Sequence, residues 1–381
     1  MPLPETPVKA RYLGVLLAAA ALSGMTALPI NLQPILMGAL ATGRGVGDAG
    51  IGQVSAVFIG SNALALCTAP WWVGRWDWRI ASAAGILMAV LVCLIGAVAT
   101  SFSLIVLVFS GLGLATGIAG AVAFASLGDL PDTDRAFGAA VIAQSLVPAI
   151  VAYPLASWIV PGFGAEGVFI ALALLSGCAW VACSGIRPKA LQESRRDSPQ
   201  QVLPILSAEA VPAAIALVAK TLFGAGILGF WYFVERMGTA RGVSPGTIGI
   251  LVSVCALSSI LTAGLIAWLD DRFSTFGYIS AGTLLLLIAF GLIALPGQEA
   301  YLVSTQVFAM GWGLAQPAYF ALVRKVDGSG RLFVAAPATV GLAGVVIGFA
   351  AGPVIGFHGY EGLMLVGAGL IIGAMALAIG A

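Results

Sequence analysis

The sequence is poor in charge. Only 9% of its 381 residues are Asp, Glu, Lys or Arg, against about a quarter of a soluble globular chain. Histidine occurs once, as His358, which excludes a metal site built on a histidine pair. The five cysteines (Cys67, Cys93, Cys178, Cys183, Cys255) all lie in apolar segments. They form no metal or redox motif and read as small buried hydrophobes. Net charge is +1, and no basic run is long enough to hold a nucleic acid. The Gly-rich stretches fall inside apolar segments, so no nucleotide-cradling loop is legible. Neither an ATP-binding domain nor a cofactor site is expected, and enzyme chemistry is not.

What fills the chain instead is apolar. Hydrophobic residues make up 60% and mean hydropathy is +1.05, the composition of a chain whose solvent is mostly lipid. The 50 glycines fit this, because small residues let membrane helices approach closely. A spanning helix needs about 20 mainly apolar residues. Polar punctuation cuts the chain into twelve such segments: 12–40, 48–73, 80–100, 103–127, 135–160, 165–185, 210–235, 245–269, 277–295, 299–323, 331–357 and 360–381. The first is too long for a signal-peptide core, although Lys9 and Arg11 precede it. Residues 186–208, with Pro, Gln, Ser and charges of both signs, read as a linker between an N-terminal bundle (1–185) and a C-terminal bundle (209–381). With both termini in the cytoplasm, thirteen of the Lys and Arg residues outside the spans lie inside and only Arg44, Arg236 and Arg241 lie outside. The expected placement is a multi-pass protein of a bacterial inner membrane, working as a monomer.

The two bundles share a pattern. Arg135-Ala-Phe-Gly-Ala-Ala is similar to Arg331-Leu-Phe-Val-Ala-Ala, and Gly164-Ala-Glu166-Gly167 to Gly359-Tyr-Glu361-Gly362. Asp77 matches Asp271, and Gly111-Leu-Gly113-Leu-Ala115 matches Gly311-Trp-Gly313-Leu-Ala315. The offsets run from 194 to 200. Four matches in order, with corresponding helices running the same way, indicate a parallel repeat about an axis along the membrane normal.

On these features the chain resembles the major facilitator superfamily over essentially its whole length. The family's motif between the second and third helices appears as Pro70-Trp-Trp-Val-Gly74-Arg75-Trp76-Asp77-Trp78-Arg79, with a second copy at Gly264-Leu-Ile-Ala-Trp268-Leu-Asp270-Asp271-Arg272-Phe273. Both lack the usual Gly-Arg-Arg ending. The resemblance implies an all-α fold of twelve membrane helices in two pseudo-symmetric six-helix bundles. It also implies a gating role for Asp77, Arg79, Arg135, Asp271 and Arg272, with Arg135 a candidate partner of Asp77. A Gly-x-x-x-Gly-Pro-x-x-Gly motif, found in the fifth helix of some drug antiporters, stands instead in the eleventh, at Gly348–Gly356. There it reads as a packing or hinge feature. Trp71, Trp72, Trp76 and Trp78 read as an interfacial aromatic belt.

Polar residues inside the spans carry the functional information. Lys220 lies ten residues into the seventh span, about 15 Å deep. No Asp or Glu is comparably central; Glu209 and Glu235 sit near opposite ends of that span. Lys220 is expected to face a watery cavity in which an anion is its missing partner, or else to bond carbonyls and hold helices together. The resemblance places a central cavity on the first, fourth, seventh and tenth helices, with contributions from the second, fifth, eighth and eleventh. Mid-depth candidates to contact substrate are Thr26, Asn62, Thr116, Gln144, Thr221, Trp312, Gln316 and Tyr319, with Asn31 higher in the first helix between Pro29 and Pro34; each is equally readable as helix–helix glue. The expected activity is gradient-driven transport of a small organic anion by alternating access, as proton symport or facilitated diffusion. Efflux of amphipathic drugs or secreted metabolites such as siderophores stands as the alternative. A non-transporting receptor or scaffold is the reading from another class.

Overall fold

The computed structural model describes residues 6–188, 211–269, 272–327 and 331–381, with side chains from residue 12 onward except 134, 263, 267 and 331–337. Most of the 186–208 linker, Glu209, Asp271 and the side chain of Arg331 lie outside the described residues. What is described is helical, with no strand. The N-terminal part holds α1 (Thr6–Asn31), α2 (Gln33–Arg44), α3 (Asp48–Trp72), α4 (Trp78–Val98), α5 (Phe102–Gly128), α6 (Thr133–Pro154) and α7 (Val160–Gly185). The C-terminal part holds α8 (Val211–Ala240), α9 (Pro245–Leu269), α10 (Thr275–Ile293), α11 (Gln298–Val326) and α12 (Arg331–Gly380). A single π-turn, Leu155–Ile159, joins α6 to α7.

Nine stretches among the described residues are long and apolar enough to cross a membrane. Two of them, Arg135–Gly185 and Ala338–Gly380, are 51 and 43 residues long. At 1.5 Å per residue each is about twice the length a bilayer core accommodates. Each is broken once, at a glycine in a conformation that only glycine adopts without strain: Gly164 (φ 58°, ψ −150°) and Gly359 (φ 68°, ψ −171°). Large apolar side chains such as Leu107, Leu174, Leu261 and Leu365 point outward and are more than half exposed, as a lipid-facing surface requires.

Helix ends follow from local chemistry. Asp77 caps α4 by accepting from the Arg79 and Ile80 amides, and Ser274 caps α10 by accepting from the Gly277 amide. Gly45, left-handed at φ 65°, ends α2. Segment 12–40, expected as one helix, is divided at Leu32. Pro34 has no N–H for the Ile30 carbonyl one turn back, so the helix bends there.

The two halves show the same construction. Arg44, the last residue of α2, donates to the carbonyls of Ala97 and Ala99 at the end of α4. Arg241, after α8, donates to Met237 O and to Ile293 O at the end of α10. Gly85 of α4 presses on the Ala115 carbonyl and Ala119 of α5; Gly282 of α10 presses on the Gly311 carbonyl and Ala315 of α11. Those contacts equate Ala115 with Gly311, one turn away from the Gly111/Gly311 alignment expected from sequence.

The halves meet along α3 against α12 and α6 against α9, pairs that the repeat exchanges. Small residues let the backbones touch. A Cβ on Gly52 would fall 2.2 Å from the Gly348 carbonyl, and one on Gly352 would fall 2.5 Å from the Ala49 Cα. Gly348 and Gly352 of the displaced motif are therefore at the crossing of α12 with α3, where only hydrogen fits.

Candidate functional site

Two prolines open the middle of the molecule to side-chain chemistry. The Ile30 carbonyl, deprived of its intrahelical donor by Pro34, accepts from the Trp231 indole Nε1 of α8 at 3.1 Å. The Gln144 carbonyl, deprived in the same way by Pro148, accepts from Asn31 Nδ2 at 3.3 Å. The Gln144 side chain in turn donates to Ser23 Oγ at 2.6 Å. Asn31 and Gln144, both expected to reach the cavity, are thus joined to each other, and Asn31 is fixed further by the Ala27 carbonyl at 3.1 Å.

Beside this network lies a small pocket between the halves, lined by Asn31, Trp231, Cys255, Ala256, Ser259, Ala309 and Trp312. Trp231 and Trp312 meet edge to face, centroids 5.6 Å apart, and Phe308 packs beneath both. Two flat apolar walls with one amide and one hydroxyl suit a small amphipathic solute. Trp231 and Ser259 were not singled out from sequence. In helices that are apolar all round, periodicity does not say which face looks inward.

Lys220 is 1% exposed. Its Nζ donates to Thr339 Oγ1 of α12 at 3.1 Å and lies 4.0 Å from the centroid of the Phe320 ring on α11. The ion pairs found among the described residues are Arg187–Asp129 (3.8 Å) and Arg236–Asp48 (3.0 Å), so no described carboxylate neutralises Lys220. The ammonium is enclosed by a hydroxyl and an aromatic face rather than open to a cavity. One turn along, the Phe223 and Tyr319 rings pack at a tilt, centroids 4.7 Å apart. The Tyr319 hydroxyl and Gln316 Oε1 are buried with no hydrogen-bond partner. Three polar candidates therefore cluster on α8 and α11, two of them with unused hydrogen-bonding capacity.

The remaining candidates bond within their own half. Asn62 donates to Thr116 Oγ1 at 3.0 Å, tying α3 to α5. Thr26 and Thr221 donate to carbonyls of their own helices, Ser23 and Leu217.

Of the candidate gating residues, Asp77 is engaged at the start of α4 and Arg135 bonds Asp132 through its backbone amide. No bond joins Asp77 to Arg135. Arg79 instead donates to the Ile186 carbonyl at 2.5 Å, and the Trp78 amide donates to the Pro188 carbonyl at 2.9 Å. The start of α4 thus holds the chain just after α7, where Arg187 meets Asp129. Trp71 and Trp76 are exposed like a belt, but Trp78 is buried and donates to the Val73 carbonyl. Arg272 lies over the Trp268 ring.

At the opposite end, Asp48 of α3 accepts from Arg236 of α8 and, at 3.1 Å, from the Tyr360 hydroxyl of α12. This latch joins the halves, and sequence gave no pairing signal for it.

Apolar helices long enough to cross a membrane, packed about a small polar network and a buried cation, are the construction of a membrane carrier. The chain belongs to the Major Facilitator Superfamily, whose pattern matches residues 13–332. It is a multi-pass membrane transporter and not an enzyme. Its fold is similar to that of the nucleoside transporter NupG (16% identity, 96% of this chain and 98% of that one, TM-score 0.73). It is also similar to a bacterial homologue of the human lysosomal transporter Spinster, in an inward-facing, unoccupied conformation (14%, 97% and 96%, 0.70). A POT family transporter in complex with 5-aminolevulinic acid is a third such structure (13%, 96% and 95%, 0.74). No curated protein matches by sequence. At these identities the likeness speaks for the fold alone.

Proposed function

We propose that the chain moves a small organic solute by alternating access, and that Lys220 makes an anion the favoured cargo. The observation that carries this reading is the lone buried ammonium. A Lys in mid-membrane costs about 2.5–3.5 kcal/mol on insertion scales, and a hydroxyl plus a ring offset only part of that. An anion entering beside Thr339 would complete the pairing, with Tyr319 and Gln316 supplying further hydrogen bonds. On this reading Arg331–Gly380 and the Arg135–Gly185 stretch each cross the membrane twice and α11 crosses once, giving twelve crossings. The bundles are 1–185 and 209–381, both termini lie in the cytoplasm of a bacterium, and the monomer is the working unit. The three cations left outside are then Arg44, Arg236 and Arg241, all at the Asp48 end. The Asp77–Arg79 and Arg187–Asp129 contacts stabilise the opposite, cytoplasmic end of the N-terminal bundle.

A second reading rests on the Trp231–Trp312 pocket, whose walls favour a flat amphipathic molecule carried outward as a drug or secreted metabolite. Uptake into proteoliposomes separates the two. A panel of radiolabelled mono- and dicarboxylates is run against neutral and cationic aromatic amphipaths, with Lys220→Gln and Trp312→Ala beside wild type. Carboxylate flux lost in Lys220→Gln supports the anion reading. Amphipath flux lost only in Trp312→Ala supports the second.

A further inference from the structure

The Trp231–Trp312 pocket and the Lys220 ammonium stand at the two ends of one stripe. On α11, Phe308, Trp312, Gln316 and Tyr319 follow at intervals of four, four and three residues, which puts them on a single helix face. On α8, Lys220, Phe223, Ile227 and Trp231 follow at three, four and four, and share a face in the same way. The two stripes run in opposite directions and meet at both ends. Trp231 packs on Trp312 and Phe308 at one end. At the other, Phe223 packs on Tyr319 and Lys220 lies over Phe320. Trp312 and Phe320 are eight residues apart, so about 12 Å of α11 separates the ring pocket from the ammonium.

Polar atoms stand between those ends. Gln316 Oε1 and the Tyr319 hydroxyl are buried with no hydrogen-bond partner, a state that buried polar atoms rarely occupy. Each sets a chemical demand. An amide oxygen only accepts, so Gln316 Oε1 asks for an N–H or O–H. The Tyr319 hydroxyl has a proton to give to a carbonyl or carboxylate. The ammonium asks for an anion. The ring end is shared with Asn31 of the N-terminal half, whereas the charged end lies wholly among α8, α11 and α12.

We propose that the cargo is an amphipathic aromatic acid that spans this stripe. A flat ring lies against Trp231 and Trp312, an N–H or O–H in the connecting chain meets Gln316, and a carboxylate about 12 Å from the ring meets Lys220 and Tyr319. Phe223 and Tyr319 close the line in the present packing, so the cargo takes its place when the halves part. A short acid fills only the charged end, and a neutral amphipath only the ring end. The inference rests on the reading of Lys220 as a cargo charge and adds to it the ring, the donor and their spacing.

Isothermal titration of the purified full-length protein with a graded series tests it. The probes are ω-(benzoylamino)alkanoates, from benzoylglycine to benzoylaminooctanoate, which carry ring, N–H and carboxylate at increasing separation. Each is compared with its neutral carboxamide, with the benzoyloxy ester that lacks the N–H, and with the acetylamino acid that lacks the ring. Wild type is expected to prefer a member of intermediate length and to bind it about tenfold to a hundredfold more tightly than its carboxamide. Lys220→Gln abolishes that preference for the acid and keeps the preference for the ring. Trp312→Ala does the reverse, losing a ring preference of about two- to tenfold. Gln316→Leu loses only the preference for the amide over the ester. The preferences that each variant keeps show that it is folded. Acids that bind alike at every length, with or without a ring, yet fail in Lys220→Gln, overturn this inference and leave the anion reading standing. Carboxamides bound as tightly as the acids, or no acid bound at any length, overturn both.

Discussion

The junction of α1 with α6 and that of α8 with α12 occupy corresponding places in the two halves. In the first, Gln144 donates to Ser23, and Asn31 donates to the Gln144 carbonyl. In the second, Lys220 donates to Thr339 and rests on Phe320. Ser23 and Lys220 are 197 residues apart, the same offset as Arg44 and Arg241. One junction closes its polar groups on one another with neutral amides and hydroxyls. The other encloses a full charge without a counter-charge. The first junction holds together without a cation, and that contrast supports the proposal that Lys220 serves the cargo.

Breaking the charged junction gives the largest effect. Thr339→Val removes the one hydrogen-bond acceptor found for the ammonium and is expected to destabilise the protein by about 1.5–3 kcal/mol, read as a loss in thermal denaturation. If the loss is no larger than for an ordinary membrane hydrogen bond, the ammonium has another partner and the contrast weakens. The shared frame is tested next. Gly164→Ala and Gly359→Ala each force a side chain into a backbone region reserved for glycine, at about 1–3 kcal/mol. The two losses are expected to be similar, since both glycines share that backbone region and neither has an atom within 4 Å of an added Cβ. A large inequality in the same thermal assay contradicts equivalent construction. The smallest change is at the neutral junction. Gln144→Leu strips the bond to Ser23 and is expected to cost about 0.6–1.7 kcal/mol, with no effect on the binding of anions.

Much of this architecture was legible in the sequence because membrane helices announce themselves by length and hydropathy, and their breaks by glycine and proline. The repeat was also legible, but its register along α5 and α11 was one turn out. In helices so rich in Gly and Ala, a shift of four residues superposes small residues on small residues, and only the contacts of Gly85 and Gly282 decide. Trp312, singled out by its depth, and Asn31, singled out between Pro29 and Pro34, both line the pocket. Their neighbours Trp231 and Ser259 were hidden by helices apolar on every face. Asp77 was expected to partner Arg135, yet a short carboxylate at the start of a helix finds the unpaired amides of that helix first. The latch of Asp48 with Arg236 and Tyr360 joins residues far apart in the chain, and no local pattern encodes it.

The central claim is that Lys220 is a cargo charge, and a thermal-shift screen tests it most directly. Purified wild type and Lys220→Gln are heated with a panel of organic anions and amphipathic cations. A ligand at 100 times its dissociation constant stabilises the folded protein by about 2.7 kcal/mol. The account predicts that at least one anion stabilises wild type to that extent and leaves Lys220→Gln unmoved. Anions that stabilise both proteins equally, or neither, contradict it.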